Sequence, residues 1–275
     1  MPLDALIFID TNILLDFYRI RNNGVGLELL ELIDRNKDQI ITGSQVEMEY
    51  KKNRQRVVLE ALQAQKLPKW DGVAPPAFLA KAQSARVIGK ARESIRSQQP
   101  KLEDRIAAVL ASPGTSDPVY LILQRLFKNK GPYNLSRDKK VRFEIHKAAR
   151  KRFLLGYPPR KKDDISIGDA VNWEWIIHCA SESGKHIILV TRDRDYGISY
   201  NGKYYLNDWL HLEFAERVSR KRKIVLTDKL SEAFRLLGIP VRKEAEEAED
   251  DLMKEMERFV AEDQSPAATG VPVIQ

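Results

Sequence analysis

The run Leu6-Ile7-Phe8-Ile9 ends abruptly in Asp10-Thr11-Asn12, and this junction constrains the chain more than any other stretch. The run is too short to span a membrane, and residues that cap helices follow it at once. The pattern predicts a buried strand feeding a helix that begins near Ile13. Asp10 then sits at the strand's carboxyl end, the edge where open α/β sheets place their ligands. An acid there is either a helix cap or a reactive group, and the junction alone does not choose between them.

Further acids fall in comparable places. Residues 39–42 read as a second strand, and Ser44-Gln45-Val46-Glu47 matches a capping box, which gives Glu47 a structural duty. Glu49, two positions on, is left either as a solvated helix residue or for another role. A helix predicted from about Asp169 to Glu182 carries Trp173, Ile176, Ile177 and Ala180 on its apolar side, with Asp169 on the same stripe. A carboxylate there is costly unless it is paired, capping or bound to a cation. His186-Ile187-Ile188-Leu189-Val190-Thr191 is the clearest later strand, and Asp193 and Asp195 follow it directly. Asn201-Gly202 marks a turn. Thr227-Asp228, past the strand at 223–226, is read as the cap of a final helix.

Composition narrows the partners. The 275 residues carry a net charge of +7, but residues 244–275 hold ten acids against two bases, a net of −8, which leaves +15 on residues 1–243. A body that basic favours polyanions, of which nucleic acid is the commonest inside cells. The single cysteine, Cys179, excludes an internal disulfide framework and a Cys-rich zinc site, and a reducing cytoplasm is the expected home. No signal peptide or membrane span is expected, because no apolar run approaches the roughly 18 residues that a span needs.

Residues 56–155 change to helical stretches rich in Ala, Lys and Arg, broken by prolines, and are read as a helical insertion. The expected division is therefore 1–55 with 156–242 as one discontinuous domain, 56–155 as a basic insertion, and 243–275 as an acidic helix with a disordered tail. The helix expected at 137–154, with the connector that follows, is dense enough in bases for phosphate contacts. Lys139, Lys140, Arg150, Lys151, Arg160, Lys161, Lys162 and Arg192 are the candidates for nucleic-acid binding. A solvated helix face is the alternative, since no interleaved aromatic residues argue for stacked bases.

One parallel sheet can bring Asp10, Glu49, Asp169 and Asp193 together. Carboxylates with no His or Cys partner make a hard oxygen site suited to Mg²⁺ or Mn²⁺. Without a cation such a group repels itself and raises its own pKa values. With one, it can activate water towards a phosphodiester.

In these residues the chain resembles the PIN-domain nucleases, and within them a PIN-like group with a long helical insertion. The matching pieces are Ile7-Phe8-Ile9-Asp10-Thr11-Asn12, residues 44–54, Gly156-Tyr157-Pro158-Pro159 with Gly168-Asp169-Ala170-Val171-Asn172-Trp173, and Val190-Thr191-Arg192-Asp193. The resemblance implies an α/β, Rossmann-like domain with a central parallel sheet flanked by helices, plus an inserted helical subdomain. It also implies metal-dependent hydrolysis of RNA, usually single-stranded. By that similarity Asp10, Glu49, Asp169 and Asp193 are the metal-binding acids, Asp164 and Asp195 are further candidates, and Thr11, Asn12, Asn53 and Arg54 are supporting residues. A regulatory protein partner or a homodimer is compatible with it. The alternatives are a non-catalytic binding module, a DNase, and a haloacid-dehalogenase-like phosphatase. The last typically has a second aspartate where this chain has Asn12.

Overall fold

A computed structural model of the chain describes residues 2–20, 26–63, 77–79, 81–160 and 166–263. Strand β1 (Ala5–Ile9) is buried along its whole length and is followed by α1 (Thr11–Leu15), α2 (Gly26–Arg35), β2 (Ile40–Gly43) and α3 (Ser44–Gln63). Then come α4 (Gln83–Ala111), the single turn α5 (Pro113–Ser116), α6 (Pro118–Phe127), the two-residue β3 (Asn134–Leu135) and α7 (Arg142–Leu155). Helix α8 (Gly168–Ser183) leads into β4 (His186–Val190), β5 (Gly197–Tyr200), β6 (Lys203–Leu206) and α9 (Asp208–Arg217). Strand β7 (Ile224–Thr227), α10 (Leu230–Leu236) and α11 (Lys243–Asp263) complete the described chain.

The main sheet has the order β3-β2-β1-β4-β7, and every neighbouring pair is parallel. From β1 the chain first builds outward through β2 and β3, then returns to add β4 on the other side. The order therefore reverses between β1 and β4. The carboxyl ends of those two strands form the crevice in which open α/β sheets bind ligands. Ile9 pairs with Val190 in the ladder, and the next amide, that of Asp10, donates to the Val190 carbonyl at 2.9 Å. Asp10 and the segment after Val190 thus leave the sheet side by side.

Helices cover both faces, which is why β1 and residues 187–190 of β4 are uninterrupted apolar runs rather than alternating ones. Helix α8 is buried nearly all round, with Trp173 and Trp175 inside. It admits Glu174 because Arg152 and Arg217 reach the carboxylate at 2.8 and 2.7 Å. Burial alone would raise the Glu174 pKa, but the two guanidinium groups outweigh it and hold it below the ordinary value. The hairpin of β5 and β6 turns at Asn201-Gly202, both with positive φ (49° and 71°), as a tight two-residue turn requires.

The segment 56–155 is not uniform. Helix α4 buries none of its residues, whereas Val119, Leu123, Leu126 and Phe127 of α6, Leu135 of β3, and Ile145 and Ala149 of α7 lie in the same core as β1. The second half of the expected insertion is therefore part of the sheet domain, because β3 extends the sheet beyond β2. Among the described residues, no helix is long and apolar enough to cross a membrane.

Candidate metal centre

Asp10 lies between β1 and α1 and is 5% exposed. It caps α1, Oδ1 accepting the Thr11 amide at 2.6 Å, while Oδ2 accepts the Asn12 side-chain amide at 3.0 Å and the hydroxyl of Thr191. Capping and site membership are compatible here because the two oxygens face different donors. Thr191 follows β4 and also accepts the Asp193 amide at 3.0 Å, so one hydroxyl orients both the first acid and the loop bearing the last.

Glu49 is in the second turn of α3. Its Oε2 accepts the Thr11 hydroxyl at 3.0 Å and its Oε1 accepts the Gln45 side-chain amide at 2.7 Å. Gly168, the residue before Asp169, runs so close that a Cβ there would lie 2.2 Å from Glu49 Oε1. With no side chain at 168, α8 begins beside Glu49 without displacing the ends of Glu49 and Gln45. The contacts run from Asp169 through Gly168, Glu49, Thr11 and Asp10 to Thr191 and Asp193.

Tyr196 lies beside this group. Its ring is fully buried, stacked obliquely on Trp173, and its hydroxyl donates to the Asp169 backbone carbonyl at 3.5 Å. Burial, and then the charges of Asp169, Asp10, Glu49 and Asp193, push its pKa well above the ordinary value. Asp10 itself is raised from 3.8 to about 6, first by burial and then by the Asp193 and Glu49 charges, with the Thr191 hydrogen bond opposing.

Among the described residues, no three His, Cys, Asp or Glu side chains converge closely enough to hold a metal ion as they stand. Asp10 and Glu49 are turned instead towards Thr11, Asn12, Gln45 and Thr191. The donor set nevertheless fits a hard divalent cation. It consists of oxygens whose mutual repulsion a cation would relieve. Beside Asp10, moreover, the buried Asn12 Oδ1 has no hydrogen-bond partner among the described residues. Side-chain rotation is what a common ion would require.

The other expected site residues separate from this group. Asn53 donates to the Glu49 backbone carbonyl at 3.0 Å, one turn along α3. Arg54 is a buried strut, held by Asp117 and the Tyr18 hydroxyl and donating to Val109 O at 2.7 Å. Asp195 is half-buried in the turn after Asp193. Asp164, Lys161 and Lys162 lie outside the described residues.

Of the expected phosphate contacts, Lys140, Arg150 and Lys151 are exposed along a groove beside α7. Lys139 is engaged elsewhere: its ammonium donates to Gly131 O and Pro132 O and lies over the Trp175 ring. Arg160 stacks on Phe153, and Arg192 is paired with the buried Asp16. Residues that the sequence reading left without a role are Thr191, Tyr196, Gln45, Gly168 and Phe143. A hydroxyl two positions before Asp193, and a glycine directly before Asp169, were the available signals.

Asp228 does not cap α10. The amides of Leu230 and Ser231 are taken by the carboxylate of Glu249 from α11, at 2.6 and 3.0 Å. Asp228 instead accepts the Tyr204 hydroxyl.

Compared with known protein families, residues 7–196 match a family model described as a PIN domain, which covers more than half of the chain. No curated protein and no solved structure matches it.

Proposed function

The chain belongs to the PIN domain family, and on that premise we propose that it is a divalent-metal-dependent nuclease hydrolysing phosphodiester bonds of single-stranded RNA. Two observations support this reading: Asp10 lies at the end of β1 where the strand order reverses, and the charges of Asp10, Glu49, Asp169 and Asp193 all act on the buried Tyr196 hydroxyl. These four acids would hold Mg²⁺ or Mn²⁺. Such an ion, when bound, lowers the pKa of water and stabilises a departing oxygen. The chain's own part is orientation: Thr11, Asn12 and Thr191 fix Asp10, while Thr11 and Gln45 fix Glu49. In-line attack by water with departure of the 3′ oxygen leaves 5′-phosphate and 3′-hydroxyl ends.

The groove beside α7, of about 880 Å³, supports a single-stranded substrate. Phe143 is 70% exposed there, one helical turn from Lys147, with Arg150 and Lys151 beyond. An exposed ring among cations is how single strands are held without reading sequence.

The test is cleavage of end-labelled single-stranded RNA and DNA with Mn²⁺, with Mg²⁺ and with EDTA. Metal-dependent cutting of RNA in preference to DNA is expected. Binding without cutting under every metal would favour a non-catalytic binding module instead.

A further inference from the structure

The chain that leaves Asp193 runs at once into the hairpin of β5 and β6. The hairpin's base is pinned at Tyr196, whose amide donates to the Asp193 carbonyl at 3.3 Å and whose carbonyl accepts the Asn207 amide at 2.8 Å. Since the Tyr196 ring is buried, the hairpin stands on the same support as the loop that bears Asp193. Its two faces differ. Tyr204 and Leu206 are half-buried, with the Tyr204 hydroxyl bonded to Asp228, and a Cβ on Gly197 would lie 2.7 Å from Leu226 Cδ2 of β7. On the opposite face Ile198 pairs with Tyr205 and Tyr200 pairs with Lys203. Residues two apart along a strand share a face, so these four side chains form one surface.

All four are exposed, Tyr200 to 66% and Tyr205 to 49%. Single exposed rings are ordinary, whereas large apolar side chains grouped on one face and rimmed by polar residues mark an interaction surface. Position and charge name the occupant. Ile198 lines a cleft of about 620 Å³ together with Asp193 and the exposed Arg194, so the surface is continuous with the acid group. Lys203 puts a second exposed cation on the surface itself. Tyr200 and Tyr205 are diagonal neighbours across the ladder, about 7–8 Å apart at their backbones, which gives each ring room for its own base.

We propose that the outward face of the hairpin is a stacking platform for single-stranded RNA, on which Tyr200 and Tyr205 each take one base next to the cutting site and Lys203 takes a phosphate. The proposal rests on the nuclease reading for the identity of the strand, and it adds a reason for that strand to be unpaired. In a duplex the faces of the bases are covered by their neighbours, whereas a single strand can turn them to a ring. Contact with base faces holds the strand without reading its sequence. Both strands of the hairpin lie beyond residue 196, outside the stretch matched to the PIN domain.

The test is fluorescence anisotropy of a labelled oligoadenylate with the full chain in EDTA, where no turnover intervenes, beside an abasic ribose-phosphate strand of the same length. Tyr200→Ala and Tyr205→Ala should each weaken oligoadenylate binding at least about fivefold, the loss of one stacked base. Tyr200→Phe and Tyr205→Phe keep the ring and should bind as the wild type does. Neither alanine should change the affinity for the abasic strand or the dependence on salt, whereas Lys203→Ala should make the slope of log affinity against log salt shallower by about 0.7. Alanine variants that bind oligoadenylate like the wild type, an equal loss for the abasic strand, or an unchanged salt slope in Lys203→Ala would overturn the proposal. So would a wild type that sediments as a dimer and alanine variants that sediment as monomers with RNA affinity intact, since the face would then seat a second copy of the chain. Stacking by a protein that cuts no RNA under any metal would uphold the platform and sink the nuclease reading. Cutting by a chain whose alanine variants bind RNA normally would do the reverse.

Discussion

Asp10→Asn should stabilise the metal-free protein while ending turnover. The Asp10 carboxyl is raised from 3.8 to about 6, chiefly by burial and then by Asp193 and Glu49. A folded-state pKa above the unfolded one means that the folded protein prefers the neutral acid. The contribution is fully present below pH 3.8 and is lost as pH rises through about 6. At pH 8 the ionised, buried Asp10 then costs roughly 3 kcal/mol relative to an unshifted carboxyl. Asparagine removes that charge but gives up one acceptor, and re-pairing with Asn12 and Thr191 costs about 1 kcal/mol. The net gain of about 2 kcal/mol corresponds to a melting temperature about 4–8 °C higher for a chain of this size. Thermal melts in EDTA at pH 4.5 and pH 8 measure it. The wild type should lose more stability than the variant between those two values. A variant less stable than the wild type at pH 8, or an identical pH dependence in both, would refute the electrostatic account.

Gly168→Ala pushes a methyl group against Glu49 Oε1 and Gln45 Nε2, both at the ends of flexible side chains. It should therefore lower turnover by about 100-fold through a displaced Glu49, with little change in melting temperature. Arg54→Ala leaves Asp117 buried without its cation and should cost about 3–5 kcal/mol in urea unfolding without altering metal dependence. Glu249→Ala strips the two amides at the start of α10 of their acceptor, at about 1–3 kcal/mol by the same measurement. Removing Lys147 and Arg150 together should lower the slope of log affinity against log salt for single strands by about 1.4.

Strands β1 and β4 were readable because Ala5–Ile9 and residues 187–190 are unbroken apolar runs, and a parallel sheet covered on both faces demands such runs. Strand β3 was not, since its two residues carry no period, and it exists only through pairing with Thr42 and Gly43. The acids at strand ends and helix starts could be singled out by position, as Asp10 and Asp193 were. Their surroundings could not, because the Thr191 hydroxyl reaches Asp10 across the sheet rather than along the chain. Asp228 looked like a cap because it precedes a helix, yet the cap comes from Glu249 on another helix. Lys139 and Arg192 show the same limit for cations. A basic residue reads alike in sequence whether it faces solvent, as Lys140 does, or is held by carbonyls or a buried carboxylate.

The central claim is that four acids act as one metal-dependent centre. Its most direct measurement is single-turnover cleavage of end-labelled RNA in Mn²⁺ by the wild type and by Asp10→Asn and Asp169→Asn, with binding of the same RNA measured in parallel. The account predicts that each variant loses cleavage by at least about 1,000-fold, as a hydrolytic site does on losing a group it cannot replace, while RNA affinity is retained. Cleavage that persists in both variants, or that proceeds equally well in EDTA, would contradict it.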